Sequence, residues 1–204
     1  IPAIFLSQDE RDGRLLGMPA ERTAAFLFYN LTWAGELGFA EPPRTSAEFR
    51  LQACAANATF RANAVEQDDG YGGWIIDANW LSIYPWLTAF GGGVFEDGAW
   101  HFDTEANQEA LEFLKALRDD GCAWLTADPD NPYALDPTLH YPRFARRSAL
   151  FITAEMTEAE AFASALAGEG ATDAWTMIPF PGTEGAAITA YGPSYSVMPT
   201  SPER

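Results

Sequence analysis

The sequence lacks the features that would place it in a membrane or on a nucleic acid. It has no apolar run near the roughly 20 residues that a membrane-spanning helix needs. It also has no basic start followed by a short apolar region, the pattern of a secretion signal. Basic residues are scarce, because 12 Lys and Arg accompany 29 Asp and Glu and give a net charge of −17. This charge repels phosphate backbones, so nucleic acid is not expected as a partner.

Catalytic signatures and cysteine clusters are missing as well. The sequence contains no G-x-S-x-G nucleophile turn, no G-x-x-x-x-G-K-(S/T) phosphate loop and no H-E-x-x-H metal helix. Its two cysteines, Cys54 and Cys122, have neither metal-ligand spacing nor a neighbouring histidine, so we expect no metal and no cofactor. Two buried free thiols and one disulfide both stay open for this pair, and export would favour the disulfide.

The residues that are present predict a folded α/β protein. Apolar residues make up 48% of the 204 residues and aromatic residues 14%, enough for one large domain or two small ones. Capping boxes that begin at Thr45 and Thr157 and a cap at Thr104 predict helix starts, and Gly121 predicts a helix stop. Apolar runs bounded by turn residues predict strands. The predicted strands are 24–29, 74–77, 149–153, 175–178 and 188–197, and the predicted helices are 46–64, 79–90, 104–121 and 157–167, with a hairpin over 94–102. Strands that alternate with helices indicate an α/β lobe.

The most informative stretch is GMPAERTAAFLFYN, residues 17–30, in which a polar patch leads directly into the apolar run 24–29. It resembles the crossover segment of the extracellular solute-binding proteins of sugar-type ABC importers, where a Gly-x-Pro-x-x-x-(Thr/Ser) run leaves one lobe and continues in the other as a strand ending in Tyr-Asn. Four further passages resemble the same family in the same order. These passages are 80–114, 144–153, 175–182 and 191–201.

The resemblance implies a periplasmic-binding-protein-like type II lobe, a mixed sheet flanked by helices. It implies that residues 1–22 are the crossover segment with a remnant of the first lobe, and that residues 23–204 are the second lobe. The chain starts at Ile1 rather than Met, and we interpret it as an internal fragment. Most of the first lobe, the closing helices and any lipoprotein or secretion signal would then lie beyond its ends.

The resemblance also implies a ligand cleft at the strand ends. A sugar presents a flat apolar face ringed by hydroxyls, so its site needs exposed aromatic planes with hydrogen-bonding groups at their edges. That combination occurs at 79–80 and at 191–195, and residues 22–23 stand where the family's crossover strand meets the cleft. Met156 occupies a position where the family often has an aromatic residue. The predicted ligand-binding residues are Arg22, Thr23, Asn79, Trp80, Met156, Tyr191, Gly192, Ser194 and Tyr195.

Three functions compete at this point. The first is a non-catalytic, monomeric receptor outside the cytoplasm, anchored to the membrane, that captures a sugar or similar solute for ABC permease subunits by closing two lobes around it. The second is a glycoside hydrolase that acts through two carboxylates, with Asp77 and Glu155 as the candidate pair because both lie at predicted strand ends. The third is the effector-sensing domain of a transcription regulator, although the sequence has no basic helix-turn-helix.

Overall fold

The computed structural model describes residues 2–60, 71–76, 80–96, 98–125, 140–183 and 185–196. The chain divides into two compact units, which we call unit 1 (residues 1–24 and 190–204) and unit 2 (residues 25–189). The chain therefore crosses between the units twice, once after residue 24 and once after residue 189.

The helices of the described residues are α1 (Ala3–Ser7), α2 (Leu31–Glu36), α3 (Ser46–Phe60), α4 (Tyr84–Ala89), α5 (Glu105–Asp119), α6 (Tyr141–Ala145) and α7 (Ala159–Gly168), with short 3-10 helices at Trp80–Ser82 and Met156–Glu158. The strands are β1 (Glu10–Arg11), β2 (Arg14–Leu15), β3 (Met18–Pro19), β4 (Thr23–Asn30), β5 (Trp74–Ile76), β6 (Phe95–Glu96), β7 (Ala99–Trp100), β8 (Ala123–Leu125), β9 (Phe151–Glu155), β10 (Trp175–Ile178), β11 (Phe180–Pro181), β12 (Ala186–Ala187), β13 (Thr189–Tyr191) and β14 (Ser194–Tyr195).

A mixed sheet organises unit 2. Its strand order is β10-β4-β9-β5-β8, and β13 pairs with β4 off this path. β5 runs parallel to both β8 and β9, whereas β4 runs antiparallel to β9 and β10. β5 is buried and apolar, and the first four residues of β9 are buried, as expected for strands covered by helices on both faces. This arrangement confirms the predicted α/β fold, a mixed sheet flanked by helices.

Aromatic side chains fill the core on both faces of the sheet. On one face, Phe162 of α7 packs edge-on against Phe28, with ring centroids 4.8 Å apart. On the other face, Phe49 of α3 lies 4.5 Å from Phe151 and 4.8 Å from Trp86. Successive side chains of a strand point to opposite faces, so the neighbours Phe28 and Tyr29 serve different layers. Trp74 and Trp86 are fully buried and belong to this core.

Local sequence signals predicted several helix and turn boundaries. In the capping box before α3, Thr45 Oγ1 accepts from the Glu48 N–H and the Glu48 carboxylate accepts from the Thr45 N–H. Thr104 caps α5 by accepting from the Asn107 N–H, and Gly121, at φ +71°, follows the end of α5. These features confirm the predicted helix starts and the glycine stop, because caps depend only on residues three or four apart.

Other boundaries differ from the prediction. The predicted helix 79–90 is a 3-10 turn followed by α4, because Pro85 can sit only in the first turn of a helix. The predicted capping box at Thr157 is formed two residues earlier, between Glu155 and Glu158. The predicted strand 188–197 is interrupted at 192–193, where Pro193 donates no backbone hydrogen bond. The sequence analysis also missed β8, a strand of three residues.

A disulfide joins Cys54, in the middle of α3, to Cys122, which directly precedes β8. This settles the alternative that the sequence left open between free thiols and a bridge. The bond ties the helix layer to the sheet across a sequence separation of 68 residues.

Candidate functional site

The sheet of unit 2 brings the ends of several strands together. β5, β8 and β9 are parallel, so their last residues Ile76, Leu125 and Glu155 meet at the same end of the sheet. β4 is antiparallel to β9, and its residue Ala25 pairs with Glu155. We call this region the carboxyl end of the sheet. In open α/β sheets, ligands bind beyond the carboxyl ends of the strands.

Trp80 lies just beyond the carboxyl end of β5. It opens the 3-10 helix that precedes α4, and 51% of its surface is exposed. Its ring meets that of Tyr84 in an edge-to-face contact with centroids 6.2 Å apart. A half-exposed indole beside a phenol ring offers an apolar plane of the kind a sugar face requires.

Met156 directly follows the carboxyl end of β9, the strand next to β5. It is 47% exposed and opens the second 3-10 helix. The preceding residue, Glu155, is half-buried, and its carboxylate accepts hydrogen bonds from the Glu158 N–H and from Thr157 Oγ1. Two strand ends that are neighbours in the sheet thus carry a Trp, a Met and a carboxylate.

The structure shows an apolar residue at this end that the sequence analysis did not identify. Leu125 ends β8 and is 37% exposed. It was missed because β8 was not predicted, although the apolar run CAWL after Gly121 was an available signal. Asn79 and Asp77, which were predicted for the ligand site and for a catalytic pair, lie outside the described residues.

Arg22 is the centre of a hydrogen-bonded cluster in unit 1. Its guanidinium makes six hydrogen bonds and its side chain is only 8% exposed. The charged partner is Asp9, whose Oδ2 lies 2.9 Å from Arg22 Nη2 and also accepts from Ser194 Oγ. The other acceptors are Gln8 Oε1, Ser194 Oγ and the carbonyl oxygens of Glu21, Gly192 and Pro193.

The other predicted residues of unit 1 precede or follow members of this cluster in the sequence or belong to it. Ser194 and Tyr195 form β14, which pairs with β3. Tyr195 is 76% exposed, Tyr191 is half-exposed at the end of β13, and Thr23 is buried at the start of β4. A Cβ atom on Gly192 would lie 2.2 Å from the carbonyl oxygen of Glu21, so only glycine allows this close approach of the two chain segments.

Unit 2 also contains a cavity apart from the carboxyl end of the sheet. A cavity of about 490 Å³ lies between α4, the β6–β7 hairpin and the start of α5, lined by residues such as Tyr84, Gly92, Glu96 and His101. Its lining includes neither Trp80 nor Met156.

Across the described ranges, no three His, Cys, Asp or Glu side chains converge as metal ligands would. No helix among these residues has the length and apolar character to span a bilayer.

Comparison with known proteins relates the fold to solved structures. No protein-family model matches the sequence, and neither does any curated protein. A solute-binding protein of an ABC transporter from Thermotoga lettingae, bound with α-D-tagatose, matches 99% of this chain with a TM-score of 0.70 at 15% identity. UgpB from Mycobacterium tuberculosis in complex with glycerophosphocholine matches 92% with a TM-score of 0.68 at 18% identity.

The sugar-binding protein MalE of Xanthomonas citri gives a similar result, with 95% of this chain covered, a TM-score of 0.68 and 20% identity. This chain covers 50%, 45% and 46% of these three chains, respectively, so it spans about half their length. The Thermotoga lettingae and Xanthomonas citri structures are of binding proteins. The chain therefore has a periplasmic-binding-protein-like α/β fold that corresponds to about half of each of these solved structures.

Proposed function

We propose that this chain is part of an extracytoplasmic receptor of an ABC importer, and that it captures a carbohydrate without transforming it. The observation that carries the proposal is the exposed pair Trp80 and Met156 at adjacent parallel strand ends, on a fold shared with sugar-binding solute receptors. The disulfide Cys54–Cys122 supports a location outside the cytoplasm, since disulfides persist in oxidising compartments.

In this proposal residues 23–204 provide the second lobe and residues 1–22 the crossover from the first. Ligand binds at the carboxyl end of the sheet, and the two lobes close around it. Trp80 stacks on the apolar face of the sugar, and Met156 forms an adaptable wall opposite or beside it. The proposed partners are the sugar and the membrane-embedded permease subunits, which recognise a monomeric, membrane-anchored receptor in its closed form.

The remaining predicted residues have different proposed roles. Asn79, Thr23, Tyr191 and Tyr195 contribute hydrogen bonds or further ring surface to the ligand. Arg22 acts through its neighbours, because its N–H groups already hold Gly192 and Ser194 in place. It therefore positions the segment 191–195 rather than binding the sugar with a free guanidinium.

The first experiment tests binding in the full-length protein. Sugars are screened by thermal shift and the best ligand is measured by calorimetry, while product analysis detects any hydrolysis. We expect Trp80→Ala to weaken binding about tenfold, since an aromatic stacking contact contributes on the order of 1 kcal/mol beyond its buried area. The fold should survive, because the Trp80 ring is half-exposed.

Trp100→Ala is the matched control, because Trp100 is another exposed tryptophan, on the β6–β7 hairpin of the same unit. It should leave the affinity unchanged. Equal affinity of Trp80→Ala and the wild type would remove Trp80 from the site. Turnover of a glycoside by the wild-type protein would favour the hydrolase instead.

A further inference from the structure

We propose that the carbohydrate site at the carboxyl end of the sheet selects sugars that carry no anionic group, and that Glu155 is a residue that excludes phosphorylated and acidic sugars. This inference rests on the proposed function and narrows its ligand class. It is carried by the positions of the cationic side chains in unit 2, by the partners of Arg22 and by the geometry of Glu155.

The cationic side chains in the described part of unit 2 are engaged with other groups. Six form ion pairs and the seventh stacks on a ring. The pairs are Arg44–Glu41, Arg50–Asp120, Lys115–Asp119, Arg118–Asp119, Arg146–Glu169 and Arg147 with both Glu36 and Asp173, while the guanidinium of Arg143 lies 4.9 Å from the centre of the Trp124 ring.

Most of these cations lie near the opposite end of the sheet. Asp119 is the last residue of α5 and Asp120 is its C-cap. Both precede the first residue of β8, so their three basic partners lie near the amino end of that strand. Arg146 and Arg147 precede the first residue of β9 by only a few positions. The amino ends of these parallel strands lie at the end of the sheet away from Trp80 and Met156.

Arg22 was the one cation that the sequence analysis placed beside the ligand. Its guanidinium is almost completely buried and is paired with the Asp9 carboxylate. An anion that reached it would have to compete with Asp9 and with five further acceptors. Arg22 therefore does not provide unit 1 with an open anion site.

Glu155, in contrast, places a carboxylate next to the proposed ligand wall. A carboxylate offers about four acceptor positions, and the Glu158 N–H and Thr157 Oγ1 occupy two of them. The remaining positions can accept hydrogen bonds from hydroxyl or ammonium groups of a ligand. The negative charge of the carboxylate repels a phosphate or a second carboxylate.

The experiment uses the full-length protein and a panel of neutral mono- and disaccharides. The panel includes glucose, galactose, mannose, maltose, lactose and trehalose. The strongest binder is then compared by calorimetry, at low ionic strength, with its amino, uronate and phosphate derivatives, and glycerophosphocholine is added as a zwitterionic probe. We expect the uronate and the phosphate to bind about tenfold more weakly than the neutral parent or worse, and the amino sugar to bind at least as well.

Glu155→Gln should narrow the affinity gap between neutral and anionic sugars by about threefold or more, because it removes the charge and keeps an acceptor for the Glu158 N–H. Glu160→Gln is the control, since it makes the same charge change at an exposed position in the first turn of α7. It should leave the gap intact. Raised salt should narrow the gap in the wild type.

The outcomes separate the two proposals. Anionic derivatives that bind as tightly as the neutral parent would overturn the charge selectivity and leave the receptor function standing. The same conclusion follows if Glu155→Gln and Glu160→Gln change the gap equally. Failure of every sugar to bind would overturn the proposed function and this inference together.

Discussion

Removing the Cys54–Cys122 disulfide is expected to cost unit 2 a large part of its stability. The bond closes a loop with a sequence separation of 68 residues. In the chain-entropy description, a cross-link over a loop of this length restricts the unfolded chain enough to contribute about 4 kcal/mol to the free energy of unfolding at 25 °C. The typical free energy of unfolding of a whole domain is only about 5–15 kcal/mol, so the loss would be substantial.

The structure explains why the folded state should survive the change. Cys122 is buried beside the start of β8, and α3 is held independently by the contacts of Phe49 with Phe151 and Trp86. The double variant Cys54→Ala with Cys122→Ala removes the bond without introducing a buried hydroxyl group. We therefore expect the same secondary structure with a lower unfolding free energy.

Urea denaturation followed by tryptophan fluorescence is the appropriate assay, because Trp74 and Trp86 are fully buried and contact Phe49 of α3. The expected loss is about 4 kcal/mol, equivalent to a fall in melting temperature of about 8–16 °C for a chain of this size. The free energy of unfolding should also fall more steeply with urea concentration, because the unlinked chain exposes more surface when it unfolds.

Reduction of the wild-type protein with a phosphine reductant provides an independent comparison without any substitution. It should reproduce most of the loss. A loss below about 1 kcal/mol in both experiments, with no change in the dependence on urea, would refute the loop-entropy argument.

Two further predictions concern polar networks of unit 2. Hydrogen bonds from Arg147, and to a lesser extent from Asn30, hold the pKa of Asp173 below its ordinary value. The ionised Asp173 therefore stabilises the fold above the unfolded pKa of about 3.9, and this stabilisation is lost as the pH falls through the folded pKa. In a plot of the urea midpoint against pH, Asp173→Asn should make the decrease on the acid side less steep. Asn107→Ala should lower the free energy of unfolding by about 2–3 kcal/mol in thermal unfolding and speed amide exchange at Gly93. The buried Asn107 side chain accepts from the Gly93 N–H and donates to the carbonyl oxygens of Gly93, His101 and Phe102. Gln108→Ala, at an exposed position, is the control, and equal stability of the two variants would contradict this role.

Features that depend on neighbouring residues could be predicted from the sequence. The caps at Thr45 and Thr104, the buried strand after Thr23 and the glycine stop at Gly121 all follow from residues within a few positions of each other. The alternation of such elements also predicted the α/β class. Short or interrupted elements were missed or misplaced, as with β8 and the capping box of Glu155, because so few residues carry little periodic signal.

The sequence by itself thus determined the fold class and the positions of the longer helices and strands. Only the tertiary structure decided that the cysteines pair, that Trp80 and Met156 follow neighbouring parallel strands, and that Arg22 is neutralised by Asp9. The physical reason is the range of the interactions. A cap or a turn is specified by residues three or four apart, whereas strand order, register and long-range hydrogen bonds depend on how segments up to 185 residues apart pack together.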